Sequence, residues 1–129
     1  MHLLYGLVEN VLRPEAAALV ADAKAAGVRV GALTNDLAAF HGDAGMSGDP
    51  FIASLDALVD GSVTGVLKPD PRAYAMAAEA MGLPPSAIVF VDDMPGNSAA
   101  ARDAGMIGLL LDLADPAEVF ERARKELGL

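Results

Sequence analysis

Cysteine is missing from all 129 residues, which rules out a disulfide framework, a thiolate nucleophile and a thiolate metal site. Aromatic residues are scarce, 5% of a chain that is 53% hydrophobic. The interior must therefore be mostly alanine, valine and leucine, side chains that suit helices packed closely on a sheet. Basic residues are few as well: nine Lys and Arg against eighteen Asp and Glu give a net charge of −9. A surface of that sign repels nucleic acid and anionic lipid, so neither is an expected partner. No apolar run approaches the roughly 18 residues of a membrane span, and no cationic-then-apolar leader opens the chain. A single cytoplasmic domain spanning residues 1–129 is expected.

Several catalytic patterns are absent too. Gly42, Gly45 and Gly48 are followed by no Gly-Lys-Ser/Thr, so they make no phosphate loop. There is no Gly-x-Ser-x-Gly elbow. His2 and His41 lack the spacing of zinc ligands.

What is present alternates between strand and helix signals. Leu3, Leu4, Leu7, Val8, Val11 and Leu12 recur at helical spacing and predict an amphipathic N-terminal helix. Pro14 opens a second helix that stops at Gly27. Val28 to Leu33 reads as a buried strand, residues 42–50 as a loop, Phe51 to Leu55 as a short helix and Ala57 to Val59 as a short strand. Asp70-Pro71 caps a helix ending near Gly82. The strand Ile88 to Val91, a helix from about Asn97 to Ala104, the strand Ile107 to Leu111 and a final helix capped by Asp115-Pro116 complete the chain. Alternation of this kind predicts an α/β fold, a parallel Rossmann-like sheet flanked by helices in three layers.

The strongest chemical signal is Asp92-Asp93, two carboxylates at the end of a buried strand, where open α/β sheets bind ligands. Adjacent carboxylates repel, so one holds a proton or a cation sits between them. An oxygen-only set favours Mg²⁺ over zinc; the blander alternative is a helix cap with a solvated turn. Thr34-Asn35, at another strand end, could hold an anionic oxygen or simply form a turn. Lys68, biased to an extended conformation by Pro69, could neutralise a phosphate and a carboxylate together, or could be an ordinary surface lysine.

In this order the sites resemble the motifs of the haloacid dehalogenase-like hydrolase superfamily. Leu33-Thr34-Asn35 looks like its second motif, Leu67-Lys68-Pro69-Asp70-Pro71 with Tyr74 like its third, and Val89 to Asp93 with Asn97, Ala101 and Gly105-Met106 like its fourth. The nearest branch is that of phosphoglycolate phosphatase-like enzymes, 2-haloacid dehalogenases and the phosphatase domain of soluble epoxide hydrolase. The resemblance implies that Thr34 and Asn35 hold phosphoryl oxygens. It implies that Lys68 orients the nucleophile, that Asp93 with Asp92 binds Mg²⁺, and that Asn97 supports the loop. The substrate it implies is a small phosphorylated metabolite.

The family's first motif, Asp-x-Asp on the first strand, has no match in residues 1–30. This predicts a core lacking its central strand and its nucleophile, truncated at the N-terminus, with residues 1–12 a remnant of a cap helix. A gap of that kind would leave two hydrophobic strand edges for a homodimer mate or partner chain to cover. The Leu3–Val8 segment could fill it only by leaving its helical pattern. An inactive hydrolase core is then expected, or else a non-catalytic module binding phosphate, Mg²⁺ or another protein.

Overall fold

The computed structural model describes residues 1–7, 14–35 and 54–129. The elements are β1 (His2–Leu7), α1 (Pro14–Ala25), β2 (Val30–Thr34), β3 (Ala57–Asp60), α2 (Gly61–Thr64), α3 (Pro71–Met81), β4 (Ile88–Asp92), α4 (Pro95–Asp103), β5 (Ile107–Leu110) and α5 (Pro116–Leu127). One 3₁₀ turn, Pro85–Ala87, leads into β4. The five strands form a single parallel sheet in the order β3-β2-β1-β4-β5. The Rossmann-like α/β architecture expected from the sequence is the one observed.

The N-terminal helix expected from Leu3, Leu4, Leu7, Val8, Val11 and Leu12 is not formed over the described residues. His2–Leu7 is the central strand of the sheet, paired with β2 from Leu3↔Val30 to Leu7↔Thr34 and with β4 from His2↔Ile88 to Tyr5↔Val91. Two expectations fall with it: the core does not lack its central strand, and residues 2–7 are no remnant of a cap helix. The reason is physical. A central parallel strand is buried on both faces, so its sequence is a continuous apolar run, and a short run of that kind carries no period that separates strand from helix. Tyr5 also sits on this strand. The edges of β2 and β4 that would have called for a partner chain are covered by β1.

Alternation along the strands divides the core into two layers. Leu3, Tyr5, Val30, Val89, Val91 and Leu109 pack under α1 and α5, against Leu19, Ala23, Val119 and Phe120. Leu4, Leu33, Ile88 and Phe90 pack on the other face under α3 and α4, against Ala73, Tyr74, Ala77 and Ala101. The alanines let the helices approach the sheet closely. Tyr74 and Phe90 meet edge to face with centroids 5.5 Å apart and ring planes at 85°.

Helix α3 begins as expected. The Asp70 carboxylate accepts from Arg72 N, Pro71 occupies the first turn, and Gly82 closes the helix in the left-handed region at φ 69°. The last helix differs in detail, since Asp115 precedes Pro116 but makes no side-chain capping bond. The expected loop at 42–50 and most of the expected helix at 51–55 lie outside the described residues. Among the described residues no helix is long and apolar enough to cross a membrane.

Candidate active-site crevice

A parallel sheet brings all its strand ends to one edge, so β1, β2, β3 and β4 deliver Leu7, Thr34, Asp60 and Asp92 to a common rim. Asp92 is the hub. Its Oδ2 accepts from Lys68 Nζ at 2.9 Å, and neither side chain is exposed beyond 1%. Asn97, on the first turns of α4, donates from Nδ2 to Oδ1 at 3.3 Å and to Oδ2 at 3.2 Å. Met94 N donates to Oδ1 at 2.8 Å. Both carboxylate oxygens are therefore engaged by neighbouring donors.

A second tier holds this hub in place. Tyr74 OH donates to Asn97 O at 2.8 Å, fixing the turn from which Asn97 reaches Asp92. Ser98 Oγ lies 3.3 Å from both Asp92 O and Leu109 O, bracing the ends of β4 and β5. Asn35 clamps the lysine's backbone, accepting from Lys68 N at 2.7 Å and donating to Lys68 O at 3.2 Å. The Lys68–Pro69 peptide is cis. Beneath the ammonium, the Phe90 ring centroid lies 5.9 Å from Nζ.

Burial sets the electrostatics. Desolvation pulls the Lys68 ammonium below the usual lysine range, while the Asp92 charge, its hydrogen bond and the Asp93 charge all act to keep the proton on. The Tyr74 hydroxyl is pushed well above the usual tyrosine range, first by burial and then by the nearby Asp92 charge.

The residues singled out in the sequence thus fall into two groups. Asp92, Lys68, Asn97 and Asn35 are joined by hydrogen bonds, and Asp93, half-buried beside them, acts on Lys68 through its charge. Thr34 stands at the same rim, buried, and its Oγ1 has no hydrogen-bond partner among the described residues. Asn35 serves as a clamp on the Lys68 segment, which is a more local task than gripping a ligand. Lys68 is not the surface lysine of the bland alternative.

Three contributors have no role that the sequence alone assigns: the hydroxyl of Tyr74, which the sequence marks only as part of the third motif-like stretch, Ser98, and Gly6. Gly6 lies on β1 between β2 and β4, on the face occupied by Leu4 and Phe90. A Cβ on it would fall 2.7 Å from Asp92 Cγ and 2.8 Å from Asp92 Cβ, separations that real side chains do not tolerate. A glycine inside an apolar strand run is the signal that could have marked this close approach.

The family model for haloacid dehalogenase-like hydrolases matches residues 3–105, which takes in β1 from Leu3 onward and Thr34, Lys68, Asp92, Asp93 and Asn97. The chain belongs to that family. It is 32% identical over 99 residues to Phosphatase MT3486 of Mycobacterium tuberculosis, a match covering 77% of this chain and 46% of that one. Among solved structures it resembles CbbY from Rhodobacter sphaeroides in complex with phosphate, at 31% identity and TM-score 0.61 over 74% of this chain and 43% of that one. An uncharacterized protein from Corynebacterium glutamicum superposes at TM-score 0.79 with 28% identity, covering 100% of this chain and 96% of its own. The chain spans less than half the length of the phosphatase and of CbbY.

Phosphatases of this family generally depend on Mg²⁺, so the fit of the crevice to that ion is a direct question. Mg²⁺ requires near-octahedral oxygen ligands and is usually held by carboxylates with coordination room to spare. Here Asp92 has both oxygens committed to an ammonium, an amide and a backbone N–H. No group of three or more His, Asp or Glu side chains among the described residues is arranged to hold a metal. Among the described residues the donor set does not fit the ion.

Proposed function

We propose that this chain is a non-hydrolysing member of its family, keeping the frame of a phosphate-ester hydrolase without the group that attacks. The observation that carries the reading is the central strand. Its six residues, His2 to Leu7, contain no carboxylate, and the one that faces Asp92 is Gly6. Without an attacking side chain no covalent phosphoryl intermediate forms, and what remains is background hydrolysis, slower by orders of magnitude.

A second reading, binding without turnover, is favoured by Thr34. A buried hydroxyl with no partner among the described residues, at a rim shared with an ammonium, suits an oxoanion, and a small phosphorylated metabolite is the class supported by the phosphate held in CbbY.

The test is p-nitrophenyl phosphate hydrolysis with and without Mg²⁺, beside an Asp93→Ala control. The expected rate is the same for both proteins and indistinguishable from background. Turnover that the substitution abolishes would overturn the proposal. Thermal stabilisation by inorganic phosphate that disappears in Thr34→Val would support the second reading.

A further inference from the structure

We infer that Gly6 makes this crevice metal-independent: by leaving its strand position bare, it lets the Asp92 carboxylate lie over β1 and close on Lys68, whose ammonium serves as the built-in counter-charge for the acidic pair. The inference concerns metal rather than turnover and goes beyond the proposed function. Three observations carry it.

The first is steric. Position 6 is the point on the central strand where any side chain would collide with Asp92, within 2.7 Å of Cγ and 2.8 Å of Cβ. Asp92 is buried and bound at both oxygens, so it cannot yield without breaking the contacts that hold it. Any residue but glycine here must displace the carboxylate, and Lys68 then loses its partner.

The second is electrostatic. Two adjacent carboxylates, one buried and one half-buried, demand positive charge. Lys68 Nζ supplies it at 2.9 Å from Asp92 and also within the field of Asp93. A divalent cation would have to enter beside an ammonium already paired there, against direct repulsion.

The third is the donor set. With Asp92 saturated, the described residues offer no three-ligand group for a metal. A side-chain carboxylate at position 6 would change this in one step, pushing Asp92 off Lys68 and adding a third acid beside Asp93.

The test is Mn²⁺ binding to the whole chain, followed by electron paramagnetic resonance, with Mg²⁺-dependent thermal unfolding as a parallel readout. Wild type is expected to bind no Mn²⁺ at millimolar concentration and to melt at the same temperature with or without Mg²⁺. Gly6→Asp is expected to bind Mn²⁺ roughly tenfold or more tightly than wild type and to become Mg²⁺-stabilised. Wild-type Mn²⁺ binding that Asp93→Asn removes would overturn the inference, and this arm does not depend on any variant folding well. A folded Gly6→Asp that gains no Mn²⁺ affinity would overturn the role given to Gly6. Ester turnover without any metal would sink the proposed function and leave this inference standing, so the two fail separately.

Discussion

Lys68 and Asp92 form an ion pair at 2.9 Å with neither side chain exposed beyond 1%. Such a pair is a stability liability when broken on one side, because the survivor is a buried charge with no counter-charge. Asp92→Asn and Lys68→Met should each destabilise the fold by about 3–5 kcal/mol. The double substitution Lys68→Met with Asp92→Asn should cost clearly less than the sum. Urea unfolding at neutral pH measures all four corners of this cycle, and additive losses would show that the two side chains act independently.

Tyr74 adds a second, separable contribution. Its hydroxyl donates to Asn97 O from a buried position, so Tyr74→Phe leaves that carbonyl without this donor and should cost about 1–2 kcal/mol. The same hydroxyl predicts an alkaline slope. Burial raises its folded-state pKa above the ordinary 10.0, so above pH 10 the unfolded chain releases a proton that the folded chain keeps. Stability from this group is complete below that pH and falls as pH rises past it. Lys68 has the opposite sign, since its folded-state pKa is lowered from 10.5; it is common to both proteins and cancels in the comparison. Wild type should therefore lose its advantage over Tyr74→Phe as pH rises through this range. A constant difference between the two would count against the buried hydroxyl.

Helix and strand were legible in the sequence wherever local chemistry marks a boundary. Asp70-Pro71 and Gly82 bracket α3 because a carboxylate cap, a proline lacking N–H and a left-handed glycine each solve a local problem. The site residues on β2, β4 and the Lys68 segment were legible for a related reason, since polar side chains directly after apolar runs stand out. β1 was not legible. Its neighbours Val30 and Val89 are far away in sequence, and only their burial of Leu3 and Leu4 from two sides makes His2–Leu7 a strand. The meaning of Gly6 was hidden with it, because a close approach between Gly6 and Asp92 exists only once β1 lies beside β4. Asn35 is a similar case: its polarity was visible, but the clamp on Lys68 is a tertiary fact.

The contact between α4 and β5 makes a packing prediction with an internal control. A Cβ on Gly108 would come within 2.9 Å of Arg102 Cγ and would overlap Ser98 O, a backbone atom that cannot move aside. Gly108→Ala should destabilise by about 1–3 kcal/mol. Gly96, on the exposed first turn of α4, has nothing within 4 Å of its virtual Cβ. Gly96→Ala should be neutral or stabilising by up to about 1 kcal/mol, since alanine reduces the entropy lost on folding. Thermal melting of the two variants checks both signs, and a harmless Gly108→Ala would mean that α4 does not press on β5 as closely as described.

The start of the central strand should respond to mild acid. His2 Nδ1 accepts from Arg29 N at 2.9 Å, while Leu3 N donates to Arg29 O at 3.0 Å, so the two bonds tie β1 to the residue that leads into β2. Protonation of Nδ1 would turn this acceptor into a donor facing a donor. Partial burial lowers the His2 pKa below 6.5, helped by the charges of the chain's amino terminus and Arg29 and opposed by Asp56. In the window below 6.5 the unfolded chain takes up a proton that the folded chain resists, so stability is complete above that pH and declines as pH falls through the window. Asp56, whose carboxylate accepts from Val30 N, adds a further loss only below its ordinary 3.8, because its folded-state pKa is lowered. The two windows are separate. His2→Asn keeps a side-chain acceptor at nearly the same reach but cannot titrate, so it should match wild type at about pH 7.5 and exceed it at about pH 5.5. Denaturant midpoints at the two pH values decide the matter: parallel losses in both proteins would remove His2 as the acid-sensitive tie on β1.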